Sequence, residues 1–293
     1  MTRFSPTMQG IVLMITAIFL FSAMDAIAKA LMARFDVIQV VWARYAGQMV
    51  VVAILLLPRL PTLIRTRHIG LQLLRSAFLF SATWCFFTSL SFIDLAAATA
   101  VMNIHPVILT LGAALILRER LGPRRIIAIL VALLGALIII RPGADVVSWS
   151  SLLPLLAGFF YASYSLTTRF LGRDEPILTS FLYTALIGTC AATFLTLPAW
   201  QAPAASDWAV FLGLGIVGAA GQFCLIRALT VAEAGAVAPF GYSGVIFSTF
   251  WGLVAFGEVP DATMLLGALV IVGAGVYVWH RETRLDPSPA SGA

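Results

Sequence analysis

Long apolar runs follow one another along almost the whole chain, separated by short polar segments. Seven runs contain no charged residue and are long enough for a membrane helix, which needs roughly 20 apolar residues. They are Ser76–Ile93, Leu95–Leu117, Val146–Thr168, Pro176–Ser206, Trp208–Ile226, Ala234–Gly257 and Ala262–Trp279. Three further runs hold one or two charges each: Gln9–Ala33, Val37–Leu57 and Leu121–Ile140. The pattern predicts an all-α membrane protein with ten transmembrane helices.

Composition agrees with this pattern. Of the 293 residues, 61% are hydrophobic and 11% are charged, whereas a soluble domain carries about 25% charged residues. A soluble fold could not bury this many apolar side chains beneath a polar surface. The lipid bilayer is therefore the expected solvent. The formal net charge of +5 comes from arginines in the short connections. We interpret it as a topology signal and expect no nucleic-acid partner.

The arginines predict the orientation. If the N-terminus is cytoplasmic, most of them fall on the inner side: Arg3, Arg59, Arg65, Arg67, Arg75, Arg118, Arg120, Arg124, Arg125, Arg169, Arg173, Arg227, Arg281 and Arg284. The outer connections then hold Arg34 and Arg141. Because positive residues favour the cytoplasmic side, both termini are predicted to be cytoplasmic. The alanine- and arginine-rich composition is typical of a GC-rich bacterium, so we expect a bacterial inner-membrane protein.

The two halves of the chain repeat one pattern. Residues 95–142 and 233–279 each run through a long apolar helix to one glutamate, Glu119 or Glu258, and then turn into a glycine-bearing apolar helix. Because five helices are an odd number, the second half must cross the membrane in the opposite sense. Inverted repeats of this kind are typical of secondary transporters with a binding site at mid-membrane. We predict five-helix repeats at residues 1–144 and 145–281, and a disordered cytoplasmic tail at 282–293.

With these features the sequence resembles the drug/metabolite transporter superfamily, specifically its EamA-type members. The resemblance rests on the duplicated unit, on the segments LRERLGPRR and FGEVPDA, and on a first-helix lysine followed by a second-helix arginine, Lys29 and Arg44. It implies alternating-access movement of a small metabolite by a monomer or weak homodimer. Amino acids moved outward, including aromatic and hydrophobic ones, are the expected substrates. Carriers of vitamins such as riboflavin, or of cationic drugs, are the alternatives.

The first helix holds Asp25 and Lys29 within an apolar run. A charge at the centre of a membrane helix costs roughly 2.5–3.5 kcal/mol, so Asp25 is expected to have a partner. With a rise of about 1.5 Å per residue, Asp25 and Arg44 lie at similar depths on antiparallel helices. We hypothesise that they pair near the outer mouth of a central cavity, as a structural bridge or in substrate or proton handling. Lys29 is close enough to the surface to extend towards it.

Polar and aromatic residues deep in the helices are candidates for the cavity. Asn103 and His105 precede Pro106, which is expected to kink the fourth helix, and polar groups at such a kink are tolerated where they face protein or water. The full set of candidates is Trp84, Asn103, His105, Tyr161, Tyr164, Gln222, Tyr242 and Trp251. An aromatic lining suits a flat, apolar or cationic substrate. Packing or hydrogen bonding between helices is the alternative role for each of them.

Other functions have weaker support in the sequence. The segment GLGIVG at residues 213–218 matches a dinucleotide-binding pattern, but no soluble strand precedes it. The chain contains no P-loop sequence and no Cys/His cluster, so we expect no cofactor and no metal. A membrane-embedded enzyme would have Asp25, Arg44 and His105 as its plausible catalytic set, without an evident nucleophile. We therefore expect a carrier and no enzymatic activity.

Overall fold

The computed structural model describes residues 6–57, 60–105, 107–109, 112, 123–140, 152–171, 175–232 and 238–285. These residues form ten helices of eight or more residues. They are α1 Pro6–Met32, α2 Val37–Leu56, α3 Ile69–Leu90, α4 Leu95–Met102, α5 Pro123–Ile140, α6 Leu153–Leu171, α7 Ile177–Thr196, α8 Ala205–Val231, α9 Ser243–Phe256 and α10 Ala262–Leu285. A helical turn at Leu60–Leu63 precedes α3, and 3-10 turns at Leu197–Ala199 and Ala238–Tyr242 adjoin α7 and α9. The predicted all-α architecture is confirmed.

The outer surface of the bundle is that of a membrane protein. Five stretches are long and apolar enough to cross a bilayer: Pro6–Met32, Val37–Leu56, Ile69–Leu90, Leu178–Ala199 and Ala205–Leu225. Shorter apolar helices add to them in both halves, for instance at 240–256 and 262–274. Large apolar side chains such as Ile54, Phe194 and Leu269 are 70–76% exposed. Exposed apolar surface on this scale is stable in lipid rather than in water.

The helices pack in pairs that follow a two-fold relation between the halves. α1 packs along α8, and its repeat counterpart α6 packs along α3. Likewise α1 contacts α9, and α6 contacts α4. The pairs α2–α7, α4–α9 and α5–α10 each join a helix to its own counterpart. The two halves therefore interdigitate along their whole length.

Contacts at the helix ends show that the halves are inverted. The backbone N–H of Leu95, at the start of α4, donates to the carboxylate of Glu258, just after the end of α9, over 2.9 Å. α4 thus begins at the face where its counterpart α9 ends, and we call this face the Glu258 end. At the opposite face, the Glu175 end, the carboxylate of Glu175 before α7 accepts hydrogen bonds from Thr66 Oγ1 and Arg67 N–H, both 2.8 Å long.

Glycines set the closest helix crossings. α2 and α8 meet backbone to backbone, so that a Cβ added to Gly47 would lie 2.7 Å from Gly215 Cα. α5 and α10 meet in a similar way at Gly135 and Gly267. Small residues allow such close approach between membrane helices. Since Gly215 belongs to the segment GLGIVG, helix packing accounts for this glycine.

Some element boundaries differ from the sequence prediction. α3 begins at Ile69, ahead of the predicted start at Ser76, because Arg75 is buried inside the bundle with 4% of its surface exposed. α10 continues to Leu285, so residues 282–285 of the predicted disordered tail are helical. The predicted division at residues 144 and 145 and the rest of the tail lie outside the described residues.

We expect Gly47→Ala to destabilise the purified protein by about 1–3 kcal/mol, because the added methyl group must separate two packed backbones. Gly213→Ala on α8 is the matched control, since nothing lies within 4 Å of a Cβ at that position. Melting temperatures in detergent compare the variants. Equal values for Gly47→Ala and the wild type would contradict the backbone contact at this crossing.

Candidate functional site

Arg75 on α3 is buried in the part of the bundle near the Glu175 end. Its Nε donates to the hydroxyl of Thr168 (2.7 Å), and its Nη1 donates to the hydroxyl of Thr184 (2.6 Å) and the carbonyl of Ser180 (2.9 Å). Its Nη2 donates to the hydroxyl of Tyr164 over 2.8 Å. All of these acceptors are uncharged, and none of the ion pairs among the described residues involves Arg75. The guanidinium group therefore joins α3, α6 and α7 while its positive charge stays unpaired.

A row of rings leads from Arg75 towards the middle of the bundle. The guanidinium lies over the ring of Tyr164, with its central carbon 4.6 Å from the ring centroid. The rings of Tyr164 and Tyr161, one helical turn apart, have centroids separated by 5.6 Å. Tyr161 in turn meets His105 edge to face at 4.8 Å. We call these four residues the Arg75 cluster; it contains three of the predicted cavity residues.

Arg44 on α2 lies nearer to the Glu258 end, where that helix begins. Its Nη1 donates to the hydroxyl of Thr83 on α3, and its guanidinium lies over the ring of Tyr45 at 4.9 Å. The hydroxyls of Tyr45 and Thr83 are themselves hydrogen-bonded over 3.1 Å. Arg44 and Tyr45 therefore both contact the hydroxyl of Thr83, and this joins α2 to α3.

The fourth helix is interrupted, and the corresponding place in the second repeat holds a 3-10 turn. The regular helix of α4 ends at Met102, and Asn103 and Ile104 form a turn before His105. In the other half, the 3-10 turn Ala238–Tyr242, which contains the candidate Tyr242, runs into α9. The Nδ1 atom of His105 lies 3.2 Å from the carbonyl oxygen of Met102, and the side-chain nitrogen of Asn103 is buried without a hydrogen-bond partner. Interrupted helices are common at the binding sites of inverted-repeat transporters.

The other three cavity candidates lie apart from the Arg75 cluster. Trp84 is 41% exposed and has Phe80 as its ring neighbour, at 6.0 Å. Trp251 lies 5.8 Å from the ring of Phe19, and its indole nitrogen is buried without a hydrogen-bond partner. Gln222 is half-buried on α8, and the described contacts do not join it to the cluster. The structure therefore gathers only part of the predicted lining into one group.

Asp25 on α1 is half-buried. The hypothesised ion pair between Asp25 and Arg44 is not formed in this conformation. Two ion pairs within 4 Å occur among the described residues: Lys29–Glu258 and Arg34–Asp207. Arg44 donates to Thr83 instead. Its guanidinium group is therefore not in contact with Asp25, although its charge still acts on the carboxylate.

Lys29 forms an ion pair between the two halves instead of extending to the surface as expected. Its Nζ lies 2.5 Å from one carboxylate oxygen of Glu258 and donates to the carbonyl of Ile93 over 2.9 Å. The other carboxylate oxygen accepts the N–H of Leu95 at the start of α4. Gly257, in the left-handed conformation with φ of 66°, ends α9 and turns the chain just before Glu258. We call Lys29, Ile93, Leu95 and Glu258 the latch.

Acidic groups surround the latch. Burial raises the pKa of Asp94 above its ordinary value, and the negative charges of Glu258 and Asp261 raise it further. Lys29 acts in the opposite direction, and it is the one cation in the described part of the chain whose charge acts on Asp94. The lysine therefore balances several carboxylates at the Glu258 end.

Two residues of these groups were assigned other roles by the sequence pattern. It places Arg75 in the cytoplasmic connection before Ser76, because a charge commonly marks the end of a membrane span. It places Glu258 in a turn that defines the repeat, together with Glu119, which lies outside the described residues. The sequence feature that could have indicated an ion-pair partner for Glu258 was Lys29, since both residues are predicted near the outer face of the membrane. No feature of the single sequence indicates that Arg75 is buried.

Comparison with known proteins agrees with this architecture. The model of the EamA-like transporter family matches the chain twice, over residues 8–141 and 148–279. A solved crystal structure superposes with a TM-score of 0.66 at 19% identity, covering 91% of this chain and 95% of that one. At this identity the likeness concerns the fold.

Relatives with named functions match over nearly the whole length. The riboflavin transporter of Vibrio cholerae serotype O1 is 32% identical, with 94% of this chain and 95% of that protein covered. The pseudopaline exporter of Pseudomonas aeruginosa is 30% identical, with 91% and 94% covered. The S-adenosylmethionine uptake transporter of Rickettsia prowazekii is 22% identical, with 94% of each chain covered. The chain therefore belongs to the EamA-like transporter family and is a multi-pass membrane transporter of that type.

Proposed function

We propose that this transporter carries a flat heteroaromatic metabolite of the flavin class, bound between its halves at the Arg75 cluster. The observation that carries the proposal is the Arg75 cluster, in which a guanidinium group without a carboxylate partner within 4 Å adjoins a row of three rings. Guanidinium groups only donate hydrogen bonds. A substrate that supplies both a ring face and carbonyl acceptors therefore satisfies the site best.

A flavin has this combination of groups. Its fused rings can stack on His105, Tyr161 and Tyr164, and stacking of a base on an aromatic side chain contributes about 1–3 kcal/mol. Its ring carbonyl oxygens can accept hydrogen bonds from guanidinium N–H groups. The similarity to the riboflavin transporter of Vibrio cholerae, over nearly the whole of both chains, supports the same substrate class.

Aromatic amino acids, the substrates expected from the family resemblance, are the second candidate. They share the aromatic ring and add a carboxylate. Arg44 favours them, because within the described structure it makes its one hydrogen bond, to Thr83, through Nη1. Its remaining N–H groups can therefore bind a carboxylate, and charge-assisted bonds of this kind are strong.

We further propose that the Glu258 end faces outwards, with both termini in the cytoplasm. The positive-inside rule supports this orientation, because Arg65, Arg67 and Arg75 then fall towards the cytoplasmic side. In that orientation the latch joins α1 to α9 at the outer face. Separation of Lys29 from Glu258 then accompanies opening of the carrier to the outside.

Riboflavin should move across proteoliposomes that contain the purified protein, and the flux should saturate and support counterflow. A carrier with a binding site behaves in this way, whereas a channel gives flux that rises linearly with concentration. Fluorescence of trapped riboflavin measures the flux. Uptake of tryptophan or phenylalanine, combined with no riboflavin flux, would replace the flavin proposal with the second candidate.

We expect Tyr161→Leu to weaken riboflavin binding about tenfold or more, because a stacking ring is lost from the site. Tyr277→Leu on α10 is the matched control: this tyrosine is 47% exposed on the outside of the bundle, and its replacement should leave binding unchanged. Quenching of flavin fluorescence by the purified variants measures the affinity. Equal losses in both variants would contradict a specific role for Tyr161.

We expect Lys29→Gln to open the Glu258 end, because it leaves the carboxylate of Glu258 without its ion-pair partner. Ser248→Cys in a background without native cysteines reports this opening, since Ser248 on α9 is 1% exposed and bonded to Thr99 on α4. Thiol labelling from the outside should become several-fold faster.

Arg34→Gln is the control for the latch. The Arg34–Asp207 pair lies at the same face, but the Arg34 side chain is 62% exposed, against 16% for Lys29. This pair joins the chain after α1 to the first turn of α8 and involves no residue of α9, so labelling of the cysteine at position 248 should stay near the wild-type rate. Unchanged labelling in Lys29→Gln would contradict a role of the latch in closing this end.

A further inference from the structure

Asp25 differs from the other carboxylates of the chain by its position. It lies well inside α1, whose C-terminal end is Met32, whereas the other acidic residues in the described part of the chain fall in connections or in terminal turns of the helices. A carboxylate in this place is costly and is normally kept for a function. The position alone does not define that function, so the surroundings of the carboxylate matter.

The carboxylate of Asp25 has no protein partner in the described structure. It takes part in neither of the two ion pairs within 4 Å, and none of the hydrogen bonds formed by the described residues reaches it. Arg75 shows the contrast, because four hydrogen bonds to uncharged acceptors hold its guanidinium group. Unlike Arg75 and Lys29, Asp25 is thus a charged residue within a membrane span that has no hydrogen-bond or ion-pair partner in the described structure.

One charged group acts on Asp25 from the helices around it. α1 packs against α2, α3, α4, α8, α9 and the 3-10 turn Ala238–Tyr242, which carries the titratable Tyr242. The charged residues on the described parts of these elements are Arg44, Arg75, Asp207 and Arg227. Of these, Arg44 on α2 is the one whose charge acts on the carboxylate. On α1 itself, Lys29 lies one turn further on and is bound to Glu258 and to the carbonyl of Ile93. Neutralisation of Asp25 therefore depends on Arg44 or on a proton.

Arg44 is held away from Asp25 by its own contacts. Its guanidinium donates to Thr83 and lies over the ring of Tyr45. An ionised carboxylate within a membrane span is costly when it has no partner, and such a group takes up a proton instead. This conformation is therefore suited to the protonated form of Asp25.

We propose that Asp25 is the proton-binding site of this carrier, and that Arg44 controls its occupancy. While Arg44 is bound to Thr83, a carboxylate oxygen of Asp25 forms an O–H bond with a proton taken from water. When Arg44 turns towards Asp25, this bond breaks, the proton returns to water, and the carboxylate and guanidinium form an ion pair. Uptake and release of one proton are thereby linked to a movement of Arg44 between α3 and α1. This inference requires a membrane carrier but not a flavin substrate.

Infrared spectroscopy of the purified protein in lipid, without substrate, tests the site directly. The wild type should show a protonated-carboxyl C=O band that disappears as the pH rises, and Asp25→Asn should lack this component. Asp36→Asn, at the exposed first cap of α2, should keep it. Arg44→Gln should shift the disappearance to higher pH, because removal of a positive charge disfavours the ionised carboxylate.

Two spectroscopic results would overturn the proposal. One is an identical set of spectra for the wild type and Asp25→Asn at every pH. The other is a transition of unchanged midpoint in Arg44→Gln. Because no substrate is present, failure of the flavin proposal does not affect either result.

Transport measurements test the coupling. In proteoliposomes, the wild type should accumulate riboflavin, or the amino acid that replaces it, when a pH gradient is imposed. Asp25→Asn should keep counterflow, which needs no net proton movement, and lose accumulation driven by the gradient. Asp25→Glu should restore part of it. Accumulation by Asp25→Asn equal to that of the wild type would overturn the role of Asp25 in coupling.

Discussion

The absence of water inside the bilayer governs how each charge of this protein is placed. A charged group cannot be solvated there and must find its partners within the bundle. Arg75 meets this demand with four uncharged acceptors on α6 and α7. Lys29 meets it with one carboxylate and one carbonyl. Within the described residues, Asp25 has no such partner in this conformation. It therefore differs from Arg75 and Lys29, whose contacts join the helices to one another.

The inverted repeat explains where these groups are found. The close pairs α2–α7 and α4–α9 cross between the halves. The Arg75 cluster likewise contains residues of both repeats. His105 comes from the first repeat, and Tyr161 and Tyr164 come from the second. A relative movement of the repeats therefore changes the site itself as well as access to it.

The sequence was sufficient for the architecture and for the interruption of the fourth helix. Ten apolar runs and the odd number of helices per half predict the inverted fold, because neither the hydropathy of a run nor the number of runs depends on long-range contacts. Pro106 predicts the interruption at Asn103 and Ile104, since proline disrupts a helix wherever it lies. Arg75 could not be found in the same way. Its burial depends on hydroxyl groups about a hundred positions away, and a single sequence records no such proximity. The partner of Lys29 was missed for the same reason, because Glu258 belongs to the other half.

The carboxylate of Glu258 has a consequence for the independence of the two halves. It completes the first turn of α4, a helix that belongs to the other repeat. A five-helix half expressed alone would lack this partner for the N–H of Leu95, so the start of its fourth helix depends on the other half of the same chain. Each half therefore supplies a group that the other half needs at the membrane interface, since Lys29 of the first half is the ion-pair partner of Glu258.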